Sequence, residues 1–517
     1  MDRRARRHGG GVEPVNRVRR IAERHPLRVA AGVGVACAVG MIVRLLLPTP
    51  VGLADQGDGH RLLCQLGLRA DIPWDASPNA FVRFTWLNYQ FVGETCGANG
   101  TGQPYFSSEL LLLRIASWLT GAFGLPGGLD LRVLGVVCAV IAGIAVGWLV
   151  AELRGPVLGR AAVGLATAAV LADPGFADYF VSAYSEPASF LGVLLLCPAL
   201  VRLFRERQPT WPTLLVTAVV AAFVLTSKTQ MISLLPGLLL ALLLRPGPGA
   251  DLVAEGDSRS TRLRAAARRR AVAVLLATGL VWLSVAYLAA QPKRFSEANM
   301  YSQVFLTILP NSPDPTDDLR WFGLDPQLAS GSGKPISAVG SAAMLPAYTG
   351  FTEQVTFGKV AMFYLSHPGR LPHLGFAGLA GAADFRPPAT YLANRPAGPG
   401  QQPNAAEHRL ETATGLFALY AAAPGLLALH WLVATIVFAV AAYRRSPIGR
   451  TGCVVMAALF CQFWAVLLSE GMADLIKHMV VVDLLTALTV PLGIALWIGR
   501  RRPMPGHTTS QLAVRTG

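Results

Sequence analysis

The chain has 517 residues, of which 53% are apolar and only 15% charged, with a formal charge of +15 and a mean hydropathy of +0.45. Soluble domains carry about 25% charged residues, so a soluble globular protein is excluded and a polytopic membrane protein is expected. In a soluble chain such a positive balance would suggest nucleic acid. Here the arginines gather at the ends of apolar runs, the positive-inside pattern, so anionic lipid is the expected partner and nucleic acid is not.

Residues 1–28 form an arginine-rich tail ahead of the first apolar run, as in a signal peptide. That run is long and no small-residue cleavage site follows it, so an uncleaved anchor is expected. A span needs roughly 20 apolar residues. Ten segments qualify, at about 29–47, 131–151, 158–176, 188–204, 211–227, 229–245, 271–290, 422–443, 451–469 and 479–499. With ten spans and a cytoplasmic N-terminus, every basic cluster falls inside: Arg154 and Arg160, then Arg202, Arg205 and Arg207, then Arg245 to Arg270, then Arg444, Arg445 and Arg450, and finally Arg500 to Arg502. The run Leu110–Phe123 contains Arg114, and counting it as a span would turn all later clusters outward. It is therefore expected as an interfacial or re-entrant helix, and 411–421 as a similar one.

The expected organisation is a cytoplasmic basic tail at 1–28, spans one to seven within 29–290, an extracytoplasmic region at 291–421, spans eight to ten within 422–499, and a second basic tail at 500–517. The first outer loop, 48–130, carries Phe81, Phe84, Trp86, Tyr89 and Phe91 at helical spacing and reads as an amphipathic surface helix. In the second outer region Thr352–Ser366 reads as a helix ended by His367-Pro368, because a residue before proline avoids the helical region. No inverted repeat of the kind found in many transporters is visible. Five of the seven cysteines lie in spans, where cysteine acts as a small hydrophobe. Cys64 and Cys96 share the first outer loop, on the oxidising side, and are expected to form a disulfide. No CxxC or His-rich metal spacing occurs.

Four polar clusters then fall on one side of the membrane: Asp55, Asp58, His60 and Arg61 after the first span; Tyr184-Ser185-Glu186-Pro187 after the third; Ser227-Lys228-Thr229-Gln230 between the fifth and sixth; and Glu470, Asp474, Lys477 and His478 before the tenth. Each has a local explanation. Asp55 to Arg61 fits a capped helix start with an ion pair, Ser185 and Pro187 fit a cap and first turn, and Lys228 and Arg44 fit side chains that snorkel to the interface. Asp474, Lys477 and His478 share a helical face and fit a local pairing. Four such clusters at one face are harder to explain separately, because charges at membrane depth usually line a cavity or pathway. Acids supply a general base for a hydroxyl acceptor, while Lys228, Arg61, Lys477 and His478 supply positive charge for a phosphate leaving group. A sugar carried on a polyprenyl phosphate meets both requirements in a membrane. Neither a P-loop nor a GxGxxG between strand and helix is present, which argues against a nucleotide-sugar donor.

The stretch Ala54-Asp55-Gln56-Gly57-Asp58-Gly59-His60-Arg61 resembles the "ADNGD-x-x-R" stretch of bacterial Wsf-type glycan hexose transferases, within the GT-C class of membrane glycosyltransferases. The Tyr184–Pro187, Ser227–Gln230 and Glu470–His478 segments resemble other motifs of that group, in the same chain order. The stretch departs from the pattern at Gln56 and at Gly59-His60, and nothing in 291–413 is familiar. The resemblance implies an all-α GT-C-like core of about ten transmembrane helices, an outward cavity, a polyprenyl-phosphate sugar donor and a glycan acceptor. It makes an acid of the first loop the base, either Asp58 or Asp55. Gly57 and Gly59 favour Asp58, since glycine lets the backbone approach a substrate closely, and Asp55 would orient the site or pair with Arg61. Lys228 and His478 are then expected at the donor phosphate, Glu186 and Gln230 at sugar hydroxyls, and Tyr184, Asp474 and Lys477 around the bound substrate. No metal ligand set is assigned, although Asp55 and Asp58 together would offer oxygen donors to a divalent ion. The rival reading is a lipid-linked glycan flippase or transporter. It needs a path to the inner side, where the spans hold almost no acids.

Overall fold

Proline at the first or second helical position costs no intrahelical hydrogen bond, and Pro26, Pro187, Pro212, Pro424 and Pro447 each open an apolar helix in this way. The computed structural model describes residues 25–48, 50–53, 59–70, 88–93, 96, 104–206, 210–243, 259–385 and 409–500. Its main helices are α1 (Pro26–Leu46), α2 (Glu109–Ala122), α3 (Leu131–Glu152), α4 (Val157–Ala172), α5 (Glu186–Arg205), α6 (Trp211–Leu225), α7 (Leu235–Leu243) and α8 (Arg259–Ala289). After them come α9 (Lys293–Tyr301), α10 (Phe357–Ser366), α11 (Leu371–Ala383), α12 (Thr412–Ala422), α13 (Pro424–Tyr443), α14 (Pro447–Ser469) and α15 (Leu475–Arg500).

Among the described residues, seven helices are long and apolar enough to cross a membrane, or eight if α4 and the segment Pro174–Val181, bent by 67° from it, form one broken span. The expectation of ten is therefore not met by length. Two of the ten segments fold as short helices instead: α6 has 15 residues, and Thr229–Leu234 is a 3₁₀ turn leading into the nine-residue α7. At 1.5 Å per residue, neither helix alone matches a hydrocarbon layer of about 30 Å. The run containing Arg114 is the 14-residue α2, too short for a span. Thr352–Ser366 folds as Phe351–Gln354 followed by α10, with His367 ending the helix as expected.

The fold is not purely helical. In the first loop β1 (Leu68–Ala70), β2 (Asn88–Phe91) and β3 (Leu129–Asp130) form a three-stranded antiparallel sheet in that order, with Leu68 opposite Phe91 and Asn88 opposite Asp130. Tyr89 and Phe91, expected on an amphipathic helix, are strand residues two apart and therefore on one face of the pleat; Tyr89 is buried, and Phe91, the last residue of the strand, is exposed. Phe81, Phe84 and Trp86 lie outside the described residues. Cys64 and Cys96 form the expected disulfide, with Cα atoms 4.9 Å apart.

Packing holds this end of the bundle together. Gly34, Gly143 and Gly147 bring α1 and α3 into backbone contact; a Cβ at Gly34 would stand 2.6 Å from the Gly143 carbonyl oxygen. Such small-residue seams let apolar helices associate closely in lipid. Arg44 does not snorkel. It is 4% exposed, pairs with buried Asp178 at 3.0 Å and donates through Nε to the Ala172 carbonyl at 2.8 Å, so it ties α1 to the bent segment after α4. Asp173 accepts from Gly175 N and from both the amide and the hydroxyl of Thr414. Its role is to dock α12.

Candidate functional site

The turn between α6 and the 3₁₀ segment presents Lys228 to the start of α5. Its Nζ lies 2.9 Å from Glu186 Oε1, with side-chain exposures of 11% and 1%. Lys228 is thus a largely buried ion-pair partner and not a snorkelling side chain. Burial works against its charge, but Glu186, and more weakly Glu470, outweigh both that and the repulsion of Lys477, and raise its pKa above the ordinary lysine value.

Two residues on, Gln230 reaches the turn between α14 and α15. Its Nε2 donates to Glu470 Oε1 at 2.6 Å and lies 2.9 Å from His478 Nδ1, while His478 Nε2 meets the other Glu470 oxygen. Gln230 thus bridges Glu470 and His478, and His478 closes the triangle through Nε2. Burial acts to raise the Glu470 pKa, yet His478, Lys228 and the Gln230 hydrogen bond together hold it below the ordinary carboxylate value. His478 therefore engages Glu470 rather than pairing locally with Asp474. Asp474 sits at φ 45°, exposed, and its carbonyl accepts the His478 amide at 3.2 Å. Lys477, 7% exposed, places Nζ 5.3 Å from the centre of the Tyr184 ring, a cation–π distance. That contact joins the Glu470–His478 turn to the segment bearing Glu186.

The first loop closes on the same place. Arg61 lies 4.6 Å over the Phe295 ring, which makes an edge contact with Tyr105 at 5.5 Å. The Arg61 carbonyl accepts the Tyr105 amide, and the Tyr105 hydroxyl accepts the Thr229 amide at 3.0 Å, one residue from Lys228. Gly59 packs on the chain just before Tyr184: a Cβ there would stand 2.7 Å from the Ala183 carbonyl oxygen, so only glycine fits this approach. Asp55 and Asp58, the expected base and its neighbour, lie outside the described residues. Among the described residues no three His, Cys, Asp or Glu side chains are grouped to hold a metal ion.

Two participants were not read from the sequence. Glu109, at the start of α2 and fully buried, accepts the Ala188 amide at 2.8 Å. Ser185, the expected cap of α5, makes no capping hydrogen bond, so a carboxylate from another helix caps α5 instead. Burial first, then the nearby Glu186 charge, push the Glu109 pKa well above the ordinary value, only partly offset by the Ala188 hydrogen bond. The second is the π-helical turn Ser302–Ile308, a form that often marks functional sites. From it Gln303 donates to the Leu467 carbonyl at 2.6 Å, and Thr307 accepts the Met472 amide at 2.8 Å. Gly471, at φ +67°, leaves no space for a Cβ, which would overlap the Thr307 hydroxyl. The turn carrying Glu470 is thereby fixed by the π-helical turn that follows α9. An acid heading an apolar run was the available signal for Glu109; no sequence pattern marked the π-helical turn.

Apolar helices, one sheet-bearing loop and a buried cluster of charge at a single end define a multi-pass membrane protein with a polar site in its wall. The chain belongs to the YfdI N-terminal transmembrane domain family, whose model matches residues 16–508. No curated protein sequence matches the chain, and no solved structure matches it.

Proposed function

We propose that the chain is a GT-C class glycosyltransferase that moves a hexose from a polyprenyl-phosphate donor to a cell-envelope glycan at the extracytoplasmic face of the cytoplasmic membrane, with both termini cytoplasmic. The observation that carries this reading is the meeting of Lys228, Lys477 and His478 with Glu186, Glu470 and Gln230 at one end of the bundle, with Arg61 joined to the same place through Tyr105 and Thr229. Family membership supports it, because domains of this kind are associated with membrane glycosyltransferases.

Lys228 and Lys477 bring two cations to a place where only a lipid-borne anion would arrive from the bilayer, and charge-assisted hydrogen bonds to a phosphate oxygen are among the strong ones. In transfer, Asp58 takes the acceptor hydroxyl proton, the acceptor oxygen bonds to the sugar C1, and the bond from C1 to the phosphate oxygen breaks. The polyprenyl phosphate leaves with that electron pair, its charge met by Lys228. In this reading Glu186 and Gln230 receive sugar hydroxyls, and Asp55 orients the site or pairs with Arg61.

Transfer from a labelled polyprenyl-phosphate hexose by membrane-reconstituted protein tests the reading. Asp58→Asn and Lys228→Ala should each lower the rate by 10²-fold or more, the usual scale for a general base or a charge-stabilising donor. Unchanged transfer in both variants would falsify the assignment. Movement of the lipid across vesicles without any transfer would favour a flippase.

A further inference from the structure

Beside the charged cluster lies a cavity of about 290 Å³ between the π-helical turn, α11 and the turn after α14. Its floor is apolar, with Ile308 and Leu374, and its rim carries Asn311, Arg370 and His373, with Met472 as the wall shared with the Glu470 turn. Arg370 is not available to a second anion: Asp318 engages it with both oxygens, at 2.9 and 3.0 Å, and the guanidinium rests 5.2 Å from the Phe363 ring centre. His373 Nε2 faces Asn311 Oδ1 at 3.0 Å, and Asn311 Nδ2 donates to the Thr307 carbonyl at 2.8 Å and reaches Met472 Sδ at 3.6 Å. Because Asn311 Oδ1 accepts, His373 Nε2–H donates to it. The cavity thus combines a hydrogen-bonding rim, its arginine already paired with a carboxylate, with an apolar floor, at the small end of the size range of ligand pockets. A pyranose ring has the same two aspects, hydroxyls at its edge and C–H groups on its face.

We infer that this cavity is the subsite for a neutral sugar residue of the acceptor, one wall away from the donor cluster. This rests on the glycosyltransfer reading and adds to it the class of acceptor: an uncharged saccharide, recognised by hydroxyl contacts, rather than a second phosphate-bearing group. Met472 links the two places physically, because its amide is held by Thr307, whose carbonyl is held by Asn311.

The test uses the full chain in lipid nanodiscs, with maltotriose, cellotriose and mannotriose as probes in saturation-transfer NMR and inorganic phosphate as the charged competitor. Gly369 lines the cavity and a Cβ there meets nothing within 4 Å, so Gly369→Trp fills the space without opposing the fold. His373 is exposed, so His373→Ala removes a rim contact alone, and unchanged melting temperatures check both variants. At least one trisaccharide should bind, with affinity lowered tenfold or more in Gly369→Trp and about threefold in His373→Ala, retained in Lys228→Ala, and unaffected by phosphate. Absence of binding by all three probes, undiminished binding in Gly369→Trp, or displacement by phosphate would each overturn the subsite. Consumption of the polyprenyl-phosphate donor by the unmodified protein is measured separately. Its absence alongside intact cavity binding would count against the transferase reading and not against the saccharide site.

Discussion

Glu186 is 1% exposed and pairs with Lys228, while burial and then the Glu186 charge raise the pKa of nearby Glu109. Breaking a buried pair from one side leaves an uncompensated charge, at a cost on the order of 3–5 kcal/mol. Lys228→Ala should therefore lower the melting temperature as well as transfer, whereas Lys228→Met combined with Glu186→Gln should regain most of the stability and none of the transfer. Thermal unfolding of the three proteins in one detergent, beside their transfer rates, separates charge balance from chemistry. Glu470 supplies a pH signature. Its folded pKa is depressed below the ordinary 4.5, so its contribution is complete above that value and is lost as pH falls through the lower folded pKa. The difference in melting temperature between the native protein and Glu470→Gln should be constant from neutral pH down to about 5 and shrink in stronger acid. A difference that instead vanished between pH 7 and 9 would assign the effect to another group.

At the scale of elements, the legible part of the site was the part made of charge. In so apolar a chain Glu186, Lys228, Gln230, Glu470, Lys477 and His478 stand out singly, and the structure joins them into one network. What stayed hidden was partnership over long sequence distance: Arg44 pairs with Asp178 instead of reaching for solvent, and α5 is capped by Glu109 instead of Ser185. The sheet was missed because strands of two to four residues are too short to show a period against helical spacing. The π-helical turn carries no signature of its own, since its apolar pattern continues that of α9. It still sets the site, and Gly471→Ala tests how firmly. The substitution adds left-handed strain of about 1–3 kcal/mol to a clash with Thr307, so Thr307→Ala should relieve the hydroxyl overlap but neither the close Cβ contact nor the strain. A double-mutant cycle read by thermal unfolding should show partial rescue; simple additivity would mean the π-helical turn does not support this loop. The disulfide belongs to the same scale. Cys64→Ser with Cys96→Ser frees a 32-residue separation and should cost about 2–4 kcal/mol, read as a lower melting temperature that reductant no longer changes.

For the whole molecule, the count of crossings decides on which side the site lies. Among the described residues, length alone gives seven or eight candidate spans, and seven would put the two ends of the described chain on opposite sides. The contacts of α6 bear on this directly. At its start, Thr213 donates to Glu206 at 2.8 Å, beside the pair of Arg205 with Glu152 at 3.3 Å, which marks the end of the bundle where α3 and α5 finish. At its other end, the Thr226 carbonyl accepts the Ser108 amide at 2.9 Å, and Lys228 meets Glu186 where α5 begins. Fifteen residues of helix, extended by a few at each end, therefore connect the same two ends as the 20-residue α5. The following segment returns along α14: Ser233 donates to Gln462 at 2.6 Å, and Gly237 lies near Val454, more than two turns further along that helix. If both short helices cross locally thinned or protein-lined paths, the arginines after α5 and after α13 share one side, opposite Lys228 and the Glu470 turn. Single cysteines at Glu206 and Arg444 in a cysteine-free background should then be shielded from an impermeant maleimide in intact cells. Single cysteines at Ser330 and Asp474 should be labelled. Labelling of position 206 together with 474 would mean that α5 and α15 start from opposite faces, and the charged cluster could not be one extracytoplasmic site.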